Sequence, residues 1–143
     1  ACLVGSEMCI RDRCRGCTNL KKVILNDKVE ILYGDPFRDC VALTEISDIP
    51  DTCYEIGGDC FNGCSSLKSI VIGRGVTQIL YSAFRNCTSM ESLFIKTAIP
   101  PMLGNDAFTN NHCKIYVSIG SGAAYKAATN WSAYADRIYE YDF

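Results

Sequence analysis

Net charge, long apolar runs and histidine are all scarce in this chain. Fourteen basic residues nearly balance sixteen acidic ones, for a formal charge of −2 over 143 residues. Nucleic-acid binding rests on clustered Lys and Arg, so this balance gives no electrostatic reason to expect such a partner. No apolar run reaches the roughly 18 residues that mark a membrane span, so no insertion is expected. No basic start followed by an apolar segment opens the chain, and no signal peptide is visible. The G-x-S-x-G, H-E-x-x-H, P-loop and Rossmann fingerprints are missing. His112 is the one histidine; beside Asn110 and Asn111 it reads as a surface loop residue with no base or nucleophile to work with. Asp48 and Asp51, flanking Ile49-Pro50, and Asp106 in "GND" read as solvated turns rather than acid–base pairs. No catalytic, cofactor-binding or metal residue is therefore assigned, and no cofactor is expected.

What is present is a foldable composition, 48% apolar and 21% charged, with ten cysteines. The length suits one domain. Residues 1–13, "ACLVGSEMCIRDR", show no helical or strand period. They resemble the translation of a sequencing adapter and are set apart as a non-native leader, which removes Cys2 and Cys9 from any metal or disulfide argument. Beyond them the chain repeats itself. "CRGCTNLKKVIL", "FRDCVALTEISDI", "FNGCSSLKSIVI" and "FRNCTSMESLFI" begin at Cys14, Phe37, Phe61 and Phe84. The anchors Phe37, Phe61, Phe84 and Phe108 lie 24, 23 and 24 residues apart. Cys17, Cys40, Cys64 and Cys87 follow each anchor position by three, and then come Leu20, Leu43, Leu67 and Met90. Further apolar columns run through Val23, Ile46, Ile70 and Leu93; through Leu25, Ile49, Ile72 and Ile95, with one extra residue before Ile49; through Val29, Cys53, Val76 and Ile99; and through Leu32, Ile56, Ile79 and Leu103.

A unit of two dozen residues cannot bury its own apolar face, so such units stack into a continuous core. Alternation in "LKSIVIG" predicts a short strand with Ile70 and Ile72 inward and Ser69 and Val71 outward. "GVTQI" predicts a second short strand after the turn at Gly73 to Gly75. These motifs resemble the BspA-type leucine-rich repeat family, over residues 14–116. The resemblance continues through "KIYVSIGSGAAYKAATNWSAYADRIY" as the family's terminal unit, a cap over 117–143. It departs from the family pattern at Ser118 (usually Pro), at Cys14 (usually Phe) and at Cys113, which is off register. The resemblance implies a mainly β, right-handed leucine-rich repeat solenoid of stacked 23–24-residue coils with short parallel strands and a short helical C-terminal cap. It also implies a C-terminal piece of a longer cell-surface or secreted microbial protein, non-enzymatic and monomeric, used in adhesion or binding of host or neighbouring-cell proteins. The alternative is a structural spacer carrying another domain.

Cys64 shares its column with Cys17, Cys40 and Cys87, while Cys60 takes the place of Ala83 and Ala107, so small buried side chains are expected at both. Zinc needs four converging ligands, and Cys14-x-x-Cys17 supplies at most half of a site. Disulfides between ladder thiols are disfavoured because stacked side chains point in parallel rather than at each other. On the outward column, Ile24, Val71 and Phe94, with Ser47 or Asp48 in the longer unit and Lys68 and Glu91 alongside, form a candidate partner-binding face. In the terminal unit, Tyr125, Ala128, Trp131, Tyr134 and Ile138 are expected to shield the last coil, with Asn130 as a helix N-cap. Pro100-Pro101 is expected to stop a strand and widen the link before that coil.

Overall fold

The computed structural model describes residues 14–143 and, within the first thirteen, the backbone of two short strands. Its elements in chain order are β1 (Cys2–Val4), β2 (Cys9–Arg11), β3 (Lys22–Leu25), β4 (Ile31–Tyr33), β5 (Glu45–Ile46), β6 (Glu55–Ile56), β7 (Ser69–Ile72), β8 (Gln78–Ile79), β9 (Ser92–Ile95), β10 (Met102–Leu103) and β11 (Lys114–Ser118). Helix α1 (Gly122–Ala127), a 3₁₀ segment (Trp131–Arg137) and β12 (Ile138–Tyr141) follow. Each coil sends one strand to a front wall and one to a back wall. The back wall has the order β10-β8-β6-β4-β2. The front wall comprises β1-β3-β5 and β12-β11-β9-β7, joined across the longer unit by one parallel bridge, Ile49 to Ile72. All the pairings are parallel. The first thirteen residues show no strand alternation, yet β1 pairs with β3 and β2 with β4, so the backbone there joins both walls.

The register is the sequence period made physical. Leu32, Ile56, Ile79 and Leu103 lie side by side on the back wall, and Ile70, Leu93 and Ile115 on the front. All of these side chains are buried. The extra residue before Ile49 breaks the front ladder as a bulge does. Beside the break, the Ser47 hydroxyl accepts a hydrogen bond from the Leu25 backbone N–H at 2.8 Å. Coils approach closely where a side chain would intrude: a Cβ on Gly57 would lie 2.4 Å from the Leu32 carbonyl oxygen.

The turn edge is a stack of three columns. Rings of Phe37, Phe61, Phe84 and Phe108 pile up at centroid spacings of 5.4, 5.4 and 5.7 Å, nearly parallel. Two residues past each anchor the backbone is left-handed, at Gly16, Asp39, Gly63, Asn86 and Asn110; Gly, Asn and Asp are the residues that tolerate it. Three past the anchor come the ladder thiols. Cys40 donates to the Cys14 carbonyl at 2.9 Å, Cys64 to that of Phe37 at 3.1 Å and Cys87 to that of Phe61 at 3.1 Å. The next rung is Asn111, whose Nδ2 donates to the Phe84 carbonyl at 3.0 Å while its Oδ1 accepts from the Cys113 N–H. Asparagine thus does the work of cysteine in the last coil, and Cys113 is buried two residues on.

Two columns of the repeat depart from expectation. Cys17 is exposed, not a buried rung. Cys40, Cys64 and Cys87 each donate to a carbonyl 26 or 27 residues earlier, and the sequence holds no residue at that distance before Cys17. Cys14 instead is buried at the anchor position, its N–H donating to Pro36 as Phe37 donates to Cys60. Ile99 is 79% exposed, unlike Val29, Cys53 and Val76. The Pro100-Pro101 pair shifts the chain before β10, and Pro101 is the buried residue there.

The terminal unit closes the stack with side chains. Trp131 and Tyr125 are buried against each other, edge to face at 5.1 Å. Trp131 Nε1 donates to the Pro101 carbonyl at 2.7 Å, the Tyr125 hydroxyl to that of Thr97 at 2.8 Å, and Asn130 Nδ2 to that of Leu103 at 2.6 Å. Arg137 reaches the Asn111 carbonyl. Asn130 stands at the start of the 3₁₀ segment but in left-handed backbone, with no side-chain cap bond. Its amide is committed to the coil beneath it rather than to its own helix.

Candidate interaction face

Thiols are the strongest potential nucleophiles of the chain, and among the described residues the fold buries all of them but Cys17. Burial pushes the Cys53 thiol up to about 11 from 9.0, and Cys87 and Cys113 up to about 12. Burial likewise raises Cys60 and Cys64. A thiolate is the nucleophile and the metal ligand, so these groups are held in the unreactive form. Among the described residues no group of three or more His, Cys, Asp or Glu side chains is placed to hold a metal ion, and no helix is long and apolar enough to cross a membrane. His112 lies exposed.

The outward row of the front wall is more suggestive. Val71, Phe94, Tyr116 and Tyr139 occupy adjacent register positions on β7, β9, β11 and β12. The alternation that buries Ile70, Leu93, Ile115 and Ile138 necessarily turns them out. Phe94 and Tyr116 stack at 5.0 Å, and Tyr116 and Tyr139 tilt together at 5.9 Å. Ile24, 39% exposed, continues the row on β3 across the break in the wall. Ser47 does not extend it, because its hydroxyl is turned to Leu25. Lys68 and Glu91 stand exposed on successive coils where the strands begin, with the Lys68 carbonyl accepting from the Glu91 N–H at 2.8 Å. Lys114 lies over the Tyr139 ring at 5.9 Å, a cation on an aromatic face. The Lys22–Glu45 pair at 3.2 Å is well exposed and contributes little to stability.

The structure brings Val71 and Phe94 together, sets Ile24 apart, and adds Tyr116, Tyr139, Tyr141 and Phe143, which the repeat pattern had not nominated. A groove of about 280 Å³ lies along Val71, Phe94, Asp48, Lys96, Tyr141 and Phe143. Lys96 Nζ and the Asp48 carboxylate face each other across it at 3.8 Å. The aromatic extension was readable from "KIYVS" and "IYEY", where period-two alternation puts Tyr116, Tyr139 and Tyr141 outward.

Short parallel strands in two walls, a phenylalanine stack and a thiol ladder at a spacing of two dozen residues define a leucine-rich repeat solenoid with a small helical end. The chain belongs to the BspA type Leucine rich repeat family: the family's sequence model matches residues 10–119 in six copies. Solved structures agree. A leucine rich cell surface protein from Faecalibacterium prausnitzii A2-165 is 33% identical, with a TM-score of 0.63, over 76% of this chain and 29% of that one. A leucine-rich repeat protein from Bacteroides ovatus ATCC 8483 is 26% identical, with a TM-score of 0.66, over 90% of this chain and 32% of that one. The chain thus spans under a third of the length of either. No curated protein matches.

Proposed function

We propose that this chain is a non-enzymatic protein-interaction module of a longer microbial surface or secreted protein, and that it adheres to a protein of a host or neighbouring cell. The observation that carries this reading is the contiguous outward row Val71, Phe94, Tyr116 and Tyr139, an apolar and aromatic strip beside the charged Lys68, Glu91 and Lys114. Aromatic-rich patches with polar rims are the ordinary anatomy of protein interfaces. The cell-surface description of the F. prausnitzii structure supports the location. The buried thiols and the scattered carboxylates offer no assembled nucleophile and base, which supports a binding role over a catalytic one.

The test is capture of a defined host or neighbouring-cell surface protein by the chain and by its Val71→Asp and Phe94→Asp variants, with circular dichroism confirming that each variant is folded. Binding should fall at least about tenfold in both, since a buried unpaired carboxylate in an apolar contact costs on the order of a few kcal/mol. Unchanged capture by folded variants would remove this wall from consideration.

A further inference from the structure

The outward row is not bare. Tyr141 pairs with Ser118 on β11, and β11 separates β12 from β9 in the wall. Yet its ring meets Phe94 edge to face, with centroids 5.2 Å apart and planes at 69°. Phe143 reaches the same ring at 6.3 Å and 83° and packs on Tyr141 at 5.0 Å. The rings of Tyr141, on β12, and Phe143, just past it, therefore reach back across the wall to Phe94. Between the two aromatics, Asp142 lines a second groove of about 490 Å³ together with Arg74 and Lys96. Both cations are only loosely engaged elsewhere, Arg74 with Asp51 at 3.9 Å and Lys96 with Asp48 at 3.8 Å. An aromatic–acid–aromatic stretch thus lies on an apolar row, with its acid lining the same groove as two cations. Tyr141 and Phe143 remain 45% and 39% exposed, so the contact is a lid over the row and not part of the core.

We infer that this wall accepts an extended partner segment in which aromatic side chains flank a carboxylate, and that Tyr141-Asp142-Phe143 holds the same seat as a built-in competitor. The inference rests on the reading of this wall as the interaction face and adds the chemistry of what docks there. An intramolecular occupant competes at the high effective concentration set by its short tether, so the wall is partly masked until a better-fitting segment displaces it. Edge-to-face contacts on Phe94 favour aromatic side chains over aliphatic ones. Arg74 and Lys96 favour an acid between them, in a salt-dependent way.

The experiment titrates a fluorescein-labelled peptide of the sequence of residues 138–143 into the full chain and into a Tyr141→Ser/Phe143→Ser double variant, read by fluorescence anisotropy. Both substituted side chains are exposed, and thermal melts confirm that the fold is kept. The double variant should bind the peptide about tenfold more tightly than the unsubstituted chain. Adding Val71→Asp should abolish that binding, and Asn in place of the peptide's Asp should weaken it several-fold at low salt. Equal affinity of the two chains, or binding untouched by Val71→Asp, overturns the inference. Self-association of the double variant in sedimentation, without peptide binding, also overturns it, in favour of a second copy as occupant. If partner capture is still lost in Val71→Asp while the double variant gains nothing, the competitor falls and the interaction face stands. If Val71→Asp disturbs neither readout, both fall.

Discussion

The inner coils and the terminal unit solve one problem in opposite ways. From Phe37 to Ile95 neighbouring coils meet one another's carbonyls: Phe37 and Phe61 accept from ladder thiols and Lys68 and Ile72 from backbone N–H groups one coil on, while Cys60 and Ala83 accept from the Phe37 and Phe61 N–H groups one coil back. In the unit that follows β10, single side chains take over. Trp131 serves Pro101, Tyr125 serves Thr97, Asn130 serves Leu103 and Arg137 serves Asn111. A repeat satisfies itself by translation, whereas its end needs a bespoke donor for each orphaned acceptor. Stability in the inner coils should therefore be spread over many like positions, and at the end concentrated in a few.

Alkaline titration attacks mainly the inner coils and carries the largest expected effect. Unfolded thiols ionise near 9.0, while burial holds Cys53 protonated to about 11 and Cys87 and Cys113 to about 12. The unfolded state loses its protons first, so this stability is intact below pH 9 and falls as pH rises through 11 to 12. Each such thiol contributes up to about 1.4 kcal/mol per pH unit in that window. Denaturant midpoints measured from pH 8 to 11 should drop steeply, and a flat profile would mean that the thiols are not buried. Trp131→Ala attacks the other region. It removes a fully buried ring and the donor to Pro101, at about 3–5 kcal/mol, read by chemical denaturation. If the loss is far smaller, the end is no more concentrated than the coils.

Single rungs should matter less. Cys64→Leu overpacks a tight turn at about 1–3 kcal/mol, measurable as a shift in melting temperature. Asn111→Cys restores the repeat's own residue but gives up the bond from the Cys113 N–H. It should therefore destabilise by about 1 kcal/mol, even though it improves the match to the repeat. A stabilising Asn111→Cys would show that the last rung is an imperfect copy rather than a tailored one.

Translation also explains what could be read in advance. Ile70, Ile72, Leu67 and Cys64 were legible because each has counterparts two dozen residues away, and a period is evidence independent of any one residue. Ser47, Ile99 and Cys17 depart from the period where that symmetry breaks: at an inserted residue, at a proline pair and in the Cys14 coil. The terminal unit's apolar residues were readable, but Asn130 was not, because its amide serves a carbonyl 27 positions back instead of its own helix. Asn111 stands on the period, three past Phe108, but as a polar residue that donates the same bond it carries no cysteine signal. The candidate face was half legible. Val71 and Phe94 follow from alternation, and so would Tyr116 and Tyr139, but the return of Tyr141 and Phe143 onto Phe94 is a tertiary contact without a local signal.

The central claim is that identical positions stack as rungs in a closed interior. Thiol labelling of the native chain at pH 8, mapped by mass spectrometry, tests it most directly. Cys17 should label rapidly, while Cys40, Cys53, Cys60, Cys64, Cys87 and Cys113 should label only on unfolding. Rapid native labelling of Cys64 and Cys87 would contradict the stack.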